Sequence, residues 1–163
     1  MQPEPARRIG IRFELNGRPH AAEVEARRLL VHFLRDEARL TGTHIGCDTG
    51  SCGACTVILD GRSVKSCMLL AAQVDGCSLR TVESLVREDD SLSPLQQAFH
   101  EEHALQCGYC TPGMLMSATH LLEQNPAPTN DDIRHAIQGN ICRCTGYQNI
   151  FSAIRVAADR LHG

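Results

Sequence analysis

Hydrophobic and polar residues alternate over residues 9–15, near the start of the chain. A period of two residues predicts a β-strand with one buried face. Asn16-Gly17 follows, a dipeptide typical of two-residue hairpin turns, so residues 20–25 form the predicted return strand. Apolar residues of segment 27–39 recur at helical spacing instead, and we predict a helix there.

A second hairpin is predicted after a glycine-rich loop at residues 41–53. Residues 56–59 and 62–66 flank Asp60-Gly61, another dipeptide that favours a tight turn. Residues 77–80 are predicted to add a short strand. The first half of the chain is therefore expected to be rich in β-structure.

Helix signals dominate the second half. Ser93-Pro94 and Thr111-Pro112 each place a capping residue before a proline, as at the start of many helices. Residues 129–132 resemble a capping box, with Asp in place of the usual Glu. The predicted helices span residues 94–105, 111–124, 130–138 and 149–161. The last is expected to bury one apolar stripe, formed by Ile150, Ile154, Ala157 and Leu161.

The polar stretch 86–93 separates the two halves, so we predict an α+β domain over residues 1–86 and a helical domain over residues 87–163. The net charge of −3 lacks the basic face that nucleic-acid binding requires, and no nucleic-acid partner is expected. No apolar run approaches the roughly 20 residues of a spanning helix. The N-terminus also lacks the apolar centre of a signal peptide. We therefore expect a cytoplasmic protein without a membrane span.

Nine of the 163 residues are cysteine. Disulfides are reduced in the cytoplasm, and an odd count disfavours a fully paired framework. Small domains also gain from a metal that supplements a limited core. Clustered cysteines in this chain therefore indicate metal binding.

Cys47, Cys52 and Cys55 form a C-x4-C-x2-C triplet, which Cys67 follows at a distance. This spacing is that of plant-type [2Fe–2S] proteins. Three thiolates converge from one loop only if the backbone curls tightly, which glycines permit. The predicted hairpin sets Cys55 opposite Ser66, so Cys67 arrives beside the loop. Structural zinc is the alternative for four thiolates, but it favours two short cysteine pairs.

Cys107 and Cys110 form a C-x2-C pair at a predicted helix start, where N–H groups favour thiolates. After 31 intervening residues, Cys142 and Cys144 form a C-x-C pair between two helices. The two pairs can face each other across the helical domain and bind one cluster. Taken alone, this spacing also suits zinc. A redox cluster elsewhere in the chain favours a second one here, because two clusters form a path for electrons.

The segments around both cysteine sets resemble the small iron–sulfur subunit of the molybdenum hydroxylases, the xanthine oxidase family. They are residues 46–55, 106–113 (QCGYCTPG) and 139–147 (GNICRCTGY). The resemblance covers about residues 9 to 160 and all eight clustered cysteines. It implies an N-terminal plant-type ferredoxin-like domain of β-grasp fold and an all-α four-helix domain, each with one [2Fe–2S] cluster.

The resemblance also implies partner chains. A large subunit would bind the molybdopterin cofactor and a medium subunit would bind FAD, assembled as a dimer of heterotrimers. The helical-domain cluster would lie nearer the molybdenum, with Gln106 and Cys144 approaching the molybdopterin, and the other cluster would pass electrons to flavin. The chain shows no catalytic constellation of its own, so substrate oxidation is expected in the large subunit.

Within this family, residues 43–49, 63–67 and 146–150 are most similar to the aerobic carbon monoxide dehydrogenase small subunit. Gly50-Ser51 departs from that branch, which usually has Ser-His before the second cysteine. The alternative is a small subunit of an N-heterocycle or aldehyde hydroxylase, of the quinoline, nicotine or caffeine type. A zinc-stapled interaction module and a free-standing ferredoxin are further alternatives, although a ferredoxin needs no helical domain.

Several other residues are assigned structural roles. Cys77 is expected to be a buried small hydrophobe, and Tyr109 a packing residue or, alternatively, a residue at a subunit interface. Met68, Met114 and Met116 are expected to fill the core. Arg143 can pair with a cofactor phosphate or with an acidic neighbour.

Overall fold

The computed structural model describes the backbone of residues 7–162 and the side chains of residues 7–161. Within this range both predicted hairpins form: β1 (Arg8–Leu15) pairs antiparallel with β2 (Arg18–Glu25), and β3 (Thr56–Leu59) with β4 (Arg62–Lys65). The strand β5 (Ser78–Arg80) lies between β1 and β3 and runs parallel to β1. The strand order β2-β1-β5-β3-β4 thus joins two local hairpins into one mixed sheet.

The helix predicted over residues 27–39 is shorter in the structure. A single α-helical turn, α1 (Leu30–His32), continues as a π-helical turn over Phe33–Glu37. Leu29 before it is extended and bridges to Leu70, and Arg39 after it has a left-handed φ of 60°. Both flanks therefore lie outside helical geometry. Leu30, Phe33 and Leu34 pack with residues of β1, β2, β3 and β5 to form the core of this half.

The helical half contains α2 (Pro94–Glu101), α3 (Thr111–Gln124), α4 (Asn130–Ile137) and α5 (Tyr147–His162). The predicted N-cap of α2 and the predicted capping box of α4 are present, with Ser93 and Thr129 accepting from the third helical N–H. The helix α2 ends before the predicted residue 105, since His103 has a left-handed φ of 53°. Cys110 rather than Thr111 caps α3.

A second core joins all four helices. Ile150, Ile154 and Ala157 of α5 are buried in it as predicted, whereas Leu161 is 44% exposed. Met114 and Met116 are buried, but Met68 is 62% exposed and is not a core residue. Cys77 is half-buried against the core of the sheet.

The chain thus has a mixed sheet with a short helix followed by a helical half, as expected for an α+β ferredoxin-like fold with a helical extension. The boundary between residues 86 and 87 stays a prediction. No helix within residues 7–162 is long and apolar enough to cross a bilayer.

Candidate metal centres

Three cysteines of the first set, Cys47, Cys52 and Cys55, lie on the loop between the π-helical turn and β3. Asp48, Gly50 and Gly53 have positive φ values of 59°, 75° and 74°, so the loop curls tightly around its thiols. The Cys47 sulfur accepts the N–H groups of Thr49, at 3.4 Å, and Cys52, at 3.3 Å. These donors, Thr49 above all, lower the pKa of Cys47 to about 6. The loop therefore favours a negatively charged sulfur at this position.

The β3–β4 hairpin brings the fourth cysteine to this loop. Thr56 pairs with Lys65, and the Ser66 N–H donates to the Cys55 carbonyl at 3.2 Å, which confirms the predicted register. Cys55 and Cys67 are only 2% and 4% exposed, and their thiols are neighbours. Burial, followed by the neighbouring Cys55, raises the pKa of Cys67 to about 11.

The thiols of the first set meet in two pairs. Cys47 contacts Cys52, and Cys55 contacts Cys67. Val31 of α1 packs against the buried pair, so α1 shields it from water. The first set therefore has one half-buried side, formed by Cys47 and Cys52, and one buried side.

The cysteines of the second set come from two segments of the helical half, one before α3 and one between α4 and α5. The Cys110 thiol, at the start of α3, contacts that of Cys142, and Cys107 contacts Cys144. Cys142 is buried and accepts the Gly146 N–H at 3.4 Å, whereas Cys107 is exposed. The predicted convergence of the C-x2-C and C-x-C pairs is therefore present.

The sequence predicted that the start of α3 favours the thiolate form of both Cys107 and Cys110. The structure supports this for Cys107 but not for Cys110. The pKa of Cys107 is lowered, first by the Tyr109 N–H and then by Cys144. Burial raises the pKa of Cys110 to about 12, with a further contribution from Cys142. Cys110 is half-buried and carries no side-chain cap hydrogen bond, so desolvation disfavours its thiolate.

The pairwise arrangement fits the donor chemistry of a [2Fe–2S] cluster. Among residues 7–162, no three Cys, His, Asp or Glu side chains lie within reach of one metal ion. The cysteines meet two by two, and a [2Fe–2S] cluster with four cysteines takes two thiolates on each of its irons. Each set of four therefore supplies the number and kind of ligands that such a cluster needs.

Gln106 and Arg143 border the second set. The Gln106 side chain donates to the Cys144 carbonyl at 3.4 Å and is exposed, so it lies beside the cysteine that it was predicted to accompany. Arg143 is also exposed and has no ion-pair partner among the described residues. An acidic partner for Arg143 is therefore not found among residues 7–161, and its pairing with a cofactor phosphate stays a prediction.

A buried junction brings the two cysteine sets together, and the sequence reasoning missed it. The Ile141 N–H donates to the Cys52 carbonyl at 2.8 Å, which links neighbours of both sets directly. Asn140, only 3% exposed, donates to the Gly53 carbonyl at 2.9 Å and accepts from the Ser117 hydroxyl at 2.9 Å. The sequence signal that could have indicated this junction is Asn140, a polar residue two positions before the proposed ligand Cys142. A side-chain amide that is buried near such a ligand needs hydrogen-bond partners.

Close backbone approach tightens the same junction. A β-carbon on Gly113 of α3 would collide with the Gly53 carbonyl, and one on Gly53 would collide with the Gly139 carbonyl. Lys65 of β4 donates from its ammonium group to the Gly139 carbonyl at 2.7 Å. The two halves therefore meet where glycines allow backbone-to-backbone contact.

Comparison with known proteins agrees with this donor chemistry. A family model described as a 2Fe-2S iron-sulfur cluster binding domain matches residues 13–107, and a [2Fe-2S] binding domain matches residues 81–155. The chain is 55% identical over 159 residues to the nicotine 6-hydroxylase small subunit of Paenarthrobacter nicotinovorans, which covers 98% of this chain and 95% of that one. The chain belongs to the small iron–sulfur subunits of the molybdenum hydroxylases.

Two further relatives support this membership. The subunit is 52% identical over 148 residues to the caffeine dehydrogenase subunit gamma of Pseudomonas sp. (strain CBB1), with 89% of this chain and 88% of that one covered. It matches the crystal structure of quinoline 2-oxidoreductase from Pseudomonas putida 86 with a TM-score of 0.90 at 46% identity, covering 93% and 94% of the two chains. The predicted fold and electron-transfer role are thereby confirmed.

The relatives do not support the predicted assignment to the carbon monoxide dehydrogenase branch of the family. Those named here are nicotine, caffeine and quinoline enzymes, so they favour the alternative, a small subunit of an N-heterocycle or aldehyde hydroxylase, over the carbon monoxide dehydrogenase interpretation. The [2Fe-2S] family matches likewise disfavour a zinc-stapled module. The two matched ranges overlap over residues 81–107 and so leave the domain boundary untested.

Proposed function

We propose that this subunit holds two [2Fe–2S] clusters and transfers electrons for a molybdenum hydroxylase that oxidises an N-heterocyclic substrate. The proposed ligands of the first cluster are Cys47, Cys52, Cys55 and Cys67. Those of the second are Cys107, Cys110, Cys142 and Cys144. The observation that carries the proposal is that all eight thiols meet two by two within these sets. When bound, each cluster would accept and release one electron at a time.

The protein's own contribution is to hold the thiolates, neutralise their charge and limit their contact with water. N–H groups of Thr49, Cys52 and Gly146 point at cysteine sulfurs, and such donors tune the potential of an iron–sulfur cluster. Burial of Cys55 and Cys67 keeps solvent from one side of the first site.

We place the second site against the molybdopterin-binding subunit. Cys107 and Gln106 are exposed, and Leu105, Tyr109 and Ile141 beside them are 47%, 50% and 51% exposed. Exposed apolar residues around a metal site support burial of this face by a partner chain. Gln106 and Cys144 would then approach the molybdopterin, as the family resemblance implies.

The proposed complex contains this chain, a large molybdopterin-binding subunit and a medium FAD-binding subunit, with two such heterotrimers forming a dimer. The first site would face the FAD-binding subunit. Names such as "small subunit" and "subunit gamma" among the relatives support further chains in the complex. The substrate would be bound by the large subunit, since this chain offers no catalytic constellation that we recognise.

Metal analysis and electron paramagnetic resonance test the cluster assignment. The full chain should contain iron and acid-labile sulfide in equal amounts, absorb in the visible range, and give two distinguishable paramagnetic signals on reduction. Cys144→Ser should disturb one of these signals, whereas Cys77→Ser, a matched cysteine outside both sets, should leave both unchanged. A colourless protein, or one with zinc but no iron, would contradict the proposal.

Copurification tests the partner chains, and an activity assay of the purified complex tests the substrate class. The tagged chain should retain two larger chains when expressed with the genes beside its own. The purified complex should reduce a dye with an N-heterocycle as electron donor but not with carbon monoxide. Dye reduction by carbon monoxide alone would restore the first interpretation and contradict the heterocycle proposal, whichever result the metal analysis gives.

A further inference from the structure

An aromatic pair connects the two cysteine-bearing loops outside the buried junction. His44 lies in the loop before Cys47, and Tyr109 lies between Cys107 and Cys110. Their rings stack with centroids 4.7 Å apart and planes inclined by 27°. Residues far apart in the sequence, from different halves, therefore meet face to face.

Two hydrogen bonds complete this contact. The His44 Nδ1 lies 2.9 Å from the Tyr109 carbonyl oxygen. A carbonyl oxygen can only accept, so Nδ1 must carry the hydrogen. The Tyr109 hydroxyl in turn donates to the Ile45 carbonyl at 2.6 Å. Ring stacking together with two bonds to main-chain oxygens fixes both the position and the orientation of the Tyr109 loop.

The contact continues to the ligands of the first site. Ile45 packs against the buried cluster formed by Val31, Cys55 and Cys67. A continuous path of packed and hydrogen-bonded groups thus leads from the loop of Cys107 and Cys110, through Tyr109 and Ile45, to the buried pair of the first set. This path shares no residue with the hydrogen bonds of Asn140.

The loop of residues 107–110 has few other restraints on its position. Cys107 is exposed, and Gly108 next to it has a φ of 79°. Tyr109 itself is 50% exposed, so burial alone does not hold its ring in place. An exposed loop with a permissive glycine is mobile unless other contacts restrain it.

We propose that His44 and Tyr109 are positioning residues that set the separation and relative orientation of the two clusters. They hold the Cys107 side of the second site against the loop of the first site. The inference rests on the cluster ligands proposed above. Neither side chain binds iron or takes part in proton transfer in this role.

The dipolar coupling between the two reduced clusters tests the proposal. This coupling depends on the distance and mutual orientation of two paramagnetic centres, and it appears as a splitting of their resonance lines. The reduced full chain should show such a splitting. In His44→Ala the splitting should narrow or disappear while the iron content stays unchanged. In Tyr109→Phe, which keeps the stacked ring but loses the hydroxyl donor, the change should be smaller.

Controls separate positioning from general stability. His100→Ala removes an exposed histidine of α2 and should leave the splitting unchanged. If His44→Ala loses iron, His44→Gln is used instead, because it keeps an N–H donor but removes the ring. The splitting should narrow in this variant as well. A lower melting temperature with an unchanged splitting in these variants would overturn the inference. Absence of both signals in the unmodified chain would instead contradict the proposed function.

Discussion

Replacing Asn140 with alanine tests the buried junction between the two halves. The Asn140 amide nitrogen donates to the Gly53 carbonyl, and its amide oxygen accepts from the hydroxyl of Ser117, which is also only 3% exposed. Truncation to alanine removes both bonds at once, together with a longer bond from the amide nitrogen to the Thr56 hydroxyl at 3.4 Å. Because Asn140 precedes Ile141, whose N–H donates to the Cys52 carbonyl, the change also weakens the support of both metal sites.

The magnitude follows from the partners that remain. The Gly53 carbonyl keeps two donors, the N–H and the hydroxyl of Thr56 at 3.1 and 2.7 Å. The carbonyl therefore loses only the hydrogen bond from Asn140, which costs about 1 kcal/mol. An unpaired buried hydroxyl on Ser117 costs about 1–3 kcal/mol. The lower end applies if Ser117 turns to the carbonyl of the preceding helical turn. The free energy of unfolding should therefore fall by about 2–4 kcal/mol.

The assay is the melting temperature of the iron-loaded full chain, followed by circular dichroism. At about 2–4 °C per kcal/mol for a chain of this size, the expected decrease is roughly 4 to 16 °C. All variants are compared at one scan rate, since loss of a cluster makes unfolding irreversible. Visible absorbance in the same scan reports whether the clusters are lost together with the fold.

Two further variants make this prediction refutable. Asn149 is exposed and also donates to two carbonyls, those of Glu102 and His103, so Asn149→Ala is a matched control that should cost far less. In the Asn140→Ala background, Ser117→Ala removes the unpaired hydroxyl and should cost little more. Equal effects of Asn140→Ala and Asn149→Ala, or full additivity of the two buried substitutions, would refute the reasoning.

Three other outcomes are expected. Gly53→Ala should destabilise the subunit strongly, because a β-carbon would collide with the Gly139 carbonyl in addition to the strain of a positive φ. Gly61→Ala, with a similar φ of 76° but open space, should cost only that strain, about 1–2 kcal/mol, and so lower the melting temperature much less. Lys65→Met should cost about 1.5 kcal/mol through loss of its bond to Gly139; an unchanged urea midpoint would contradict this. Removal of iron by a chelator after reduction should abolish the visible absorbance and make the clustered thiols available to alkylating reagents; if the thiols already react in the loaded protein, they are not ligands.

Local signals in the sequence predicted the elements well where the chain needs no distant partner. Asn16-Gly17 and Asp60-Gly61 predicted both hairpins, because a two-residue turn determines the pairing of its neighbours. The Ser93-Pro94 N-cap and the capping box at Thr129 predicted two helix starts, because a cap satisfies nearby N–H groups. The predicted helix at residues 27–39 was too long, since the bridge between Leu29 and Leu70 overrides local preference.

Cysteine spacing alone separated the eight proposed ligands into two sets of four, because spacing within a loop is a local property. Only the tertiary structure decided which thiols meet: Cys110 with Cys142 and Cys107 with Cys144 depend on how α3 packs against the segment before α5. The same holds for Asn140 and for the pair of His44 and Tyr109, whose partners lie in the other half of the chain. A hydrogen bond across 60 or more residues leaves no periodic trace in the sequence, since it arises from packing of two independently formed cores.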